Sequence, residues 1–128
     1  MNTSYFSNLK NLKNPLSISI YPPKWYLGPQ FKLLAPTQTI IRAYKDLKIS
    51  DEEYVNEFKK HVLEPLDAFK VHSDLVTKFG SDVTLLCYEK PGDFCHRRLV
   101  AEWFELKLGI EVPELPSAGF YNSLKKEM

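Results

Sequence analysis

The sequence predicts an α/β domain with a short, largely parallel sheet. Three observations point there. Asp82-Val83-Thr84-Leu85-Leu86-Cys87-Tyr88 is a nearly continuous apolar run, as in a strand covered on both faces. Helical patterns precede it and follow it, in the order that parallel sheets use. The 128 residues are 44% apolar and 26% charged, which suits one domain over 1–128 with a modest core, ending in a tail from about 113.

The elements follow in order. Thr3-Ser4-Tyr5-Phe6 is short and β-prone, a first strand. Asn8 to Asn14 is polar and reads as a surface connection or one loose turn. Pro15-Leu16-Ser17-Ile18-Ser19-Ile20 alternates apolar and small polar residues, and Pro22-Pro23 stops this second strand. Tyr21 to Pro36 is too punctuated for a helix and too aromatic for a disordered linker, so an ordered loop packed on the domain is expected. Thr37 to Leu47 predicts a short helix capped by Thr37 or Thr39. Ser50-Asp51-Glu52-Glu53 has the form of a capping box, and Tyr54, Phe58, Val62 and Leu63 follow at helical spacing until Pro65. Leu66, Phe69, Leu75, Val76 and Phe79 predict a further helix ended by Gly80. After the central strand, Phe94 to Leu108 is helical by pattern, with Leu99, Val100, Trp103, Phe104 and Leu106 on one arc. Ile110-Glu111-Val112 is β-prone.

Composition narrows the partners. A formal charge of +1 gives no global basic field for duplex nucleic acid, and leaves a local patch open. No apolar run nears the roughly 20 residues of a membrane span, so no membrane partner is expected. The opening MNTSYFSNLKNLKN lacks the apolar core of a secretory signal. Two cysteines make no disulfide framework, and a cytoplasmic chain with reduced thiols is expected.

Chemistry concentrates in CYEKPGDFCHRR, residues 87 to 98. Lys90-Pro91-Gly92-Asp93 suits a type II turn, with Asp93 at the N-cap of the next helix. Cys87 and Glu89 end the strand, and Cys95, His96 and Arg97 begin the helix. In open α/β sheets, ligands bind at this edge, and helix-start amides favour an anion. A parallel neighbouring strand would bring Ser19, Tyr21 and the Lys24-Trp25-Tyr26 loop there.

Each residue also has a plain structural use. Cys87 suits a small core position. Cys95, beside a histidine and an arginine, has surroundings that favour a thiolate. His96 suits proton transfer near neutral pH, or a buried bond to backbone. Glu89 pairs either with His96 in a working site or with Arg97 in a structural one. Arg98 points away, toward an exposed pair with Glu102.

Sharper motifs are absent. A phosphatase-type cysteine loop needs an arginine where Asp93 stands, and glycine-rich nucleotide loops and C-x-x-C are missing. Zinc is disfavoured, because helical neighbours Cys95 and His96 would diverge by about 100°, with only His61 or His72 left as a fourth ligand. Tyr21, Trp25, Tyr26 and Phe31 could stack a base or pack the loop, and Lys24 and Lys32 could meet phosphate.

TSYF at 3–6, SIS at 17–19, LAP at 34–36 and CYEKPGDFCHR at 87–97 resemble the domain-of-unknown-function family 488, in a compact form found in bacteria and their phages. The resemblance runs from the first strand to about Phe104. It implies a small Rossmann-like domain of three layers, with Cys87, Glu89, Cys95, His96 and Arg97 as motif positions, and implies no reaction or cofactor.

Three functions are compatible. The first is a small hydrolase or group-transfer enzyme for a phosphate-bearing or nucleotide-like ligand. There the helix start and Arg97 hold the anion, Glu89 and His96 move protons, and Cys95 is nucleophile or bystander. The second is a binding module for a nucleotide, single-stranded nucleic acid or protein. The third is a thiol redox sensor, with Cys87 and Cys95 meeting across the turn.

Overall fold

The most apolar run of the chain lies at the centre of its sheet. The computed structural model describes residues 1–88 and 95–116. In it Asn2–Tyr5 forms β1, Pro15–Ser17 forms β2 and Thr84–Cys87 forms β3. The order is β1-β3-β2 and both pairings are parallel. Every residue of β3 is buried, as a central strand with two covered faces requires. Successive side chains point to opposite faces. Leu85 joins the main core with Leu16, Phe58, Leu75 and Phe104. Leu86 joins a smaller cluster with Phe6 and Tyr26.

The helices are α1 (Gln38–Lys45), α2 (Asp51–Phe58), α3 (Ala68–Phe79) and α4 (His96–Leu108). All four bury residues in the main core. The Thr37 hydroxyl caps α1 by accepting the Ile40 N–H. The Ser50–Glu53 box closes in both directions at the start of α2. A π-helical turn, Lys59–Leu63, carries that helix on and buries Val62 and Leu63. Asp67 caps α3 through the N–H groups of Phe69 and Lys70. Gly80 follows α3 with φ of 101°, a conformation that favours glycine.

The third layer is thin. A 3-10 helix, Phe6–Asn11, and the loop through Tyr26 cover the Leu86 face. The architecture is mixed α/β with a small parallel sheet, and a Rossmann-like fold is consistent with it. Both sheet edges are occupied. On one side Ser17 donates to the Pro29 carbonyl at 3.1 Å and accepts from Phe31 at 2.8 Å. On the other, Thr3 donates to Pro113 at 2.9 Å and accepts from Leu115 at 2.7 Å.

Several details differ from the sequence reading. The Asn8–Asn14 segment is not purely surface, since Asn8 is buried and its amide donates to Ser4 Oγ at 3.1 Å. Phe69 and Leu106 are exposed and not core. The β-prone 110–112 piece forms no strand, and the chain meets β1 slightly later, at Glu114. Helix α4 starts at His96, with Cys95 as its N-cap residue and no side-chain cap. The expected Lys90-Pro91-Gly92-Asp93 turn, Phe94 and the tail from Ser117 lie outside the described residues.

Candidate functional site

The end of β3 and the start of α4 meet because α4 packs across β1 and β3. Cys87 is the last residue of β3, and Cys95 immediately precedes α4. Their sulfurs are bonded to each other, with Cα atoms 7.0 Å apart. Reduced thiols are the sequence expectation, and the redox-sensor reading alone has the two cysteines meeting across the turn; the structure brings the pair together.

His96, the first helical residue, is buried beside the ring of Phe58. Its Nε2 lies 2.8 Å from the Ile18 carbonyl oxygen. A carbonyl only accepts, so Nε2 carries the proton and Nδ1 is left with a lone pair. That Nδ1 stands 3.8 Å from Cys95 Sγ. Burial pushes the His96 pKa down to about 4; the Ile18 hydrogen bond opposes the shift, and the nearby Arg97 charge adds to it. The imidazole is therefore neutral at neutral pH.

Cys87, Cys95 and His96 form one wall of a cavity of about 130 Å³. That is room for roughly four waters. Ser19 and Tyr21, which follow β2, line it as the parallel pairing predicts. Tyr88 also lines it, and its hydroxyl donates to the Tyr21 carbonyl. Helices α1 and α2 contribute Tyr44, Lys45 and Tyr54 to the lining. The Tyr44 and Tyr54 rings meet edge-on at 5.0 Å, and the Tyr44 hydroxyl donates to Asp51 at 2.6 Å. These three residues were missed. Their sequence signal was faint: Ile41, Tyr44 and Lys45 sit at i, i+3 and i+4 on one helix face.

Arg97 has another use than the one expected. It is completely buried and does not line the cavity. Nε and Nη2 donate to the Glu114 carboxylate at 2.7 to 3.0 Å, and Nη1 donates to Cys87 Sγ at 3.2 Å. Thr3 donates to the same carboxylate at 2.7 Å. Arg98 is not paired with Glu102; it donates to Thr3 Oγ1 and to the Val112 carbonyl, each at 2.8 Å. The two arginines thus clamp residues 112–115 onto β1. An anion has no access to this guanidinium.

Lys24, Trp25 and Tyr26 are not brought to the cavity. Tyr26 packs with Phe6 and Leu86 on the opposite sheet face, where its hydroxyl donates to Pro29 at 2.7 Å and burial raises its pKa. Trp25 is 57% exposed and meets the edge of Phe6, and Lys24 is exposed. Glu89 lies outside the described residues.

Three metal-ligating atoms do converge. One atom each from Cys87, Cys95 and His96 lies within 4.8 Å of the others. The predicted divergence of Cys95 and His96 assumed that both were helical. Cys95 is extended, with φ −156° and ψ 147°, so its side chain turns to the same side as that of His96. His61 pairs with Glu57 and His72 packs on Phe104, away from the cavity. Among the described residues no helix is long and apolar enough to cross a membrane.

A family model described as DUF488-N3a, the active DUF488-N3 subclade, matches residues 16–108. That span contains Cys87, Cys95, His96 and Arg97. No curated protein and no solved structure matches the chain.

Proposed function

The chain belongs to the DUF488 family, and on that premise we propose that its cavity is a thiol–disulfide site acting on a small ligand. The carrying observation is the Cys87–Cys95 pair on the cavity wall, with a different polar partner addressing each sulfur.

The roles follow from those partners. Cys95 is the less buried of the two and is the attacking sulfur. The His96 Nδ1 lone pair faces its sulfur and can accept a hydrogen bond from the thiol, whose proton leaves to solvent. Cys87 is deeper and resolves the reaction; the Arg97 N–H on its sulfur favours thiolate over thiol. With a disulfide substrate, the Cys95 thiolate attacks one substrate sulfur. The first substrate thiolate leaves and takes up a proton. The Cys87 thiolate then attacks Cys95 Sγ and expels the second. The protein dithiol is oxidised by two electrons, and the substrate disulfide is reduced to two thiols.

This reading is preferred to hydrolysis or group transfer on a phosphate-bearing ligand for a physical reason. Arg97 is committed to Glu114, and among the described residues Lys45 is the one lysine or arginine left in the lining. A phosphate would be poorly balanced there.

A chromogenic aromatic disulfide tests the roles. The reduced chain should release two thiolate equivalents and end with an internal disulfide and no adduct. Cys87→Ser should release one and retain a mixed disulfide at Cys95. A reduced wild-type chain that keeps two stable adducts overturns the reading.

A further inference from the structure

We propose that, when reduced, Cys87, Cys95 and His96 bind one thiophilic divalent cation of the zinc type, with its fourth coordination position open to the cavity. The inference needs the reduced pair of the preceding section, but not its turnover.

Geometry is the first support. Metal–sulfur bonds of about 2.3 Å and metal–nitrogen bonds of about 2.0–2.1 Å imply a tetrahedron with a sulfur–nitrogen edge of about 3.6 Å and a sulfur–sulfur edge of about 3.8 Å. Cys95 Sγ and His96 Nδ1 are already 3.8 Å apart. Reduction breaks the bond between the sulfurs and lets them part to ordinary non-bonded contact, which is about the sulfur–sulfur edge needed. The third ligand atom is within the same 4.8 Å cluster, and all three residues are buried.

The outer contacts are the second support. A ligating histidine commonly donates its other ring N–H to a carbonyl or carboxylate, which fixes the ring and the tautomer. His96 Nε2–H does this to Ile18 at 2.8 Å, leaving Nδ1 as the ligand atom. The Arg97 N–H on Cys87 Sγ is the matching contact for a thiolate. Two sulfurs and one imidazole select zinc-like cations over magnesium or calcium, which prefer oxygen. Among the described residues the protein ligands number three, and three with one open position are the pattern of a zinc that meets substrate or water, rather than of a closed structural site.

The balance is simple. Binding releases the two S–H protons to solvent, and two thiolates neutralise the dication. Oxidation by a disulfide substrate, which takes the two electrons and two protons and leaves as two thiols, joins the two sulfurs and removes both thiolates as ligands, so the cation leaves. The site is thereby gated by the redox state of its own cysteines.

The test is titration of the reduced full-length chain with cobalt(II) alone, without oxygen. One equivalent should give intense four-coordinate d–d bands and a near-ultraviolet thiolate-to-cobalt band, both displaced by zinc. Cys95→Ser should weaken zinc binding by more than about 100-fold, since loss of an outer contact alone costs about 10- to 100-fold. The disulfide form of the wild type, which needs no mutation to stay folded, should give no bands. Absent bands in the folded, reduced chain overturn the proposal, as do bands unchanged in the disulfide form. If bands are absent while the internal disulfide still forms, the metal inference fails and the thiol–disulfide reading stands. If cobalt binds while no disulfide forms, the reverse holds.

Discussion

Replacing Glu114 by alanine should destabilise the fold severely while leaving the cavity residues in place. The reason is Arg97. Its guanidinium has no solvent exposure, and the Glu114 side chain is only 17% exposed. Alanine removes three N–H···O contacts of 2.7 to 3.0 Å and strands a buried cation. Removing one partner of such a pair costs about 3–5 kcal/mol. The modest exposure of Glu114 admits some solvent, so the lower end, about 3 kcal/mol, is expected. Thr3 also loses the acceptor for its hydroxyl. Glu114→Gln keeps a carbonyl acceptor and should cost about 1–3 kcal/mol. The double variant Arg97→Met, Glu114→Leu removes both charges and should be more stable than Glu114→Ala alone. Urea unfolding at neutral pH measures all three. A Glu114→Ala loss below about 1 kcal/mol, or a double variant no more stable than Glu114→Ala, would refute the clamp and return Arg97 to candidacy as an anion ligand.

Two further outcomes follow from the same coordinates. His96 has a folded pKa of about 4, below the usual 6.5, so between those values the unfolded chain binds the proton first. Stability should therefore be flat above pH 6.5 and fall by about 3 kcal/mol on acidification toward pH 4; in urea unfolding across that range, His96→Gln should flatten this part of the profile, and an identical slope in the variant would contradict the neutral, buried assignment. Ser50→Ala opens the capping box at α2 and should cost about 1 kcal/mol by thermal or urea unfolding, without changing thiol reactivity; no loss at all would mean that the cap contributes nothing to the fold.

What was legible in the sequence was mostly local. The β3 run, the Thr37 and Ser50 caps and the ordered proline-rich loop depend on neighbouring residues, and they appear as read. The strand ends also placed Cys87, Cys95, His96, Ser19 and Tyr21 on one edge, because parallel pairing fixes which ends coincide. The Lys24-Trp25-Tyr26 loop went astray by sheet face: β-strand parity gives Leu86 to one side and Cys87 to the other, and the loop follows Leu86. Glu114 could not be anticipated. Its partner is 17 residues away, and the segment carrying it has no strand pattern of its own. Arg98 was assigned by helical spacing to Glu102, but burial against β1 and Val112 outweighs an exposed pair worth a few tenths of a kcal/mol. Helical spacing puts Cys95 and His96 about 100° apart, but Cys95 is extended at the helix entry, and that one residue brings the two side chains together.

The most direct measurement is the redox equilibrium of the two cysteines. The folded chain is equilibrated across glutathione buffers, quenched in acid and tagged with a maleimide, and the tags are counted by intact mass. The proposed thiol–disulfide site requires one two-electron transition, in which both tags vanish together and no glutathione adduct accumulates. Two free thiols persisting in folded protein at the most oxidising buffer, or two independent glutathione adducts, would contradict it.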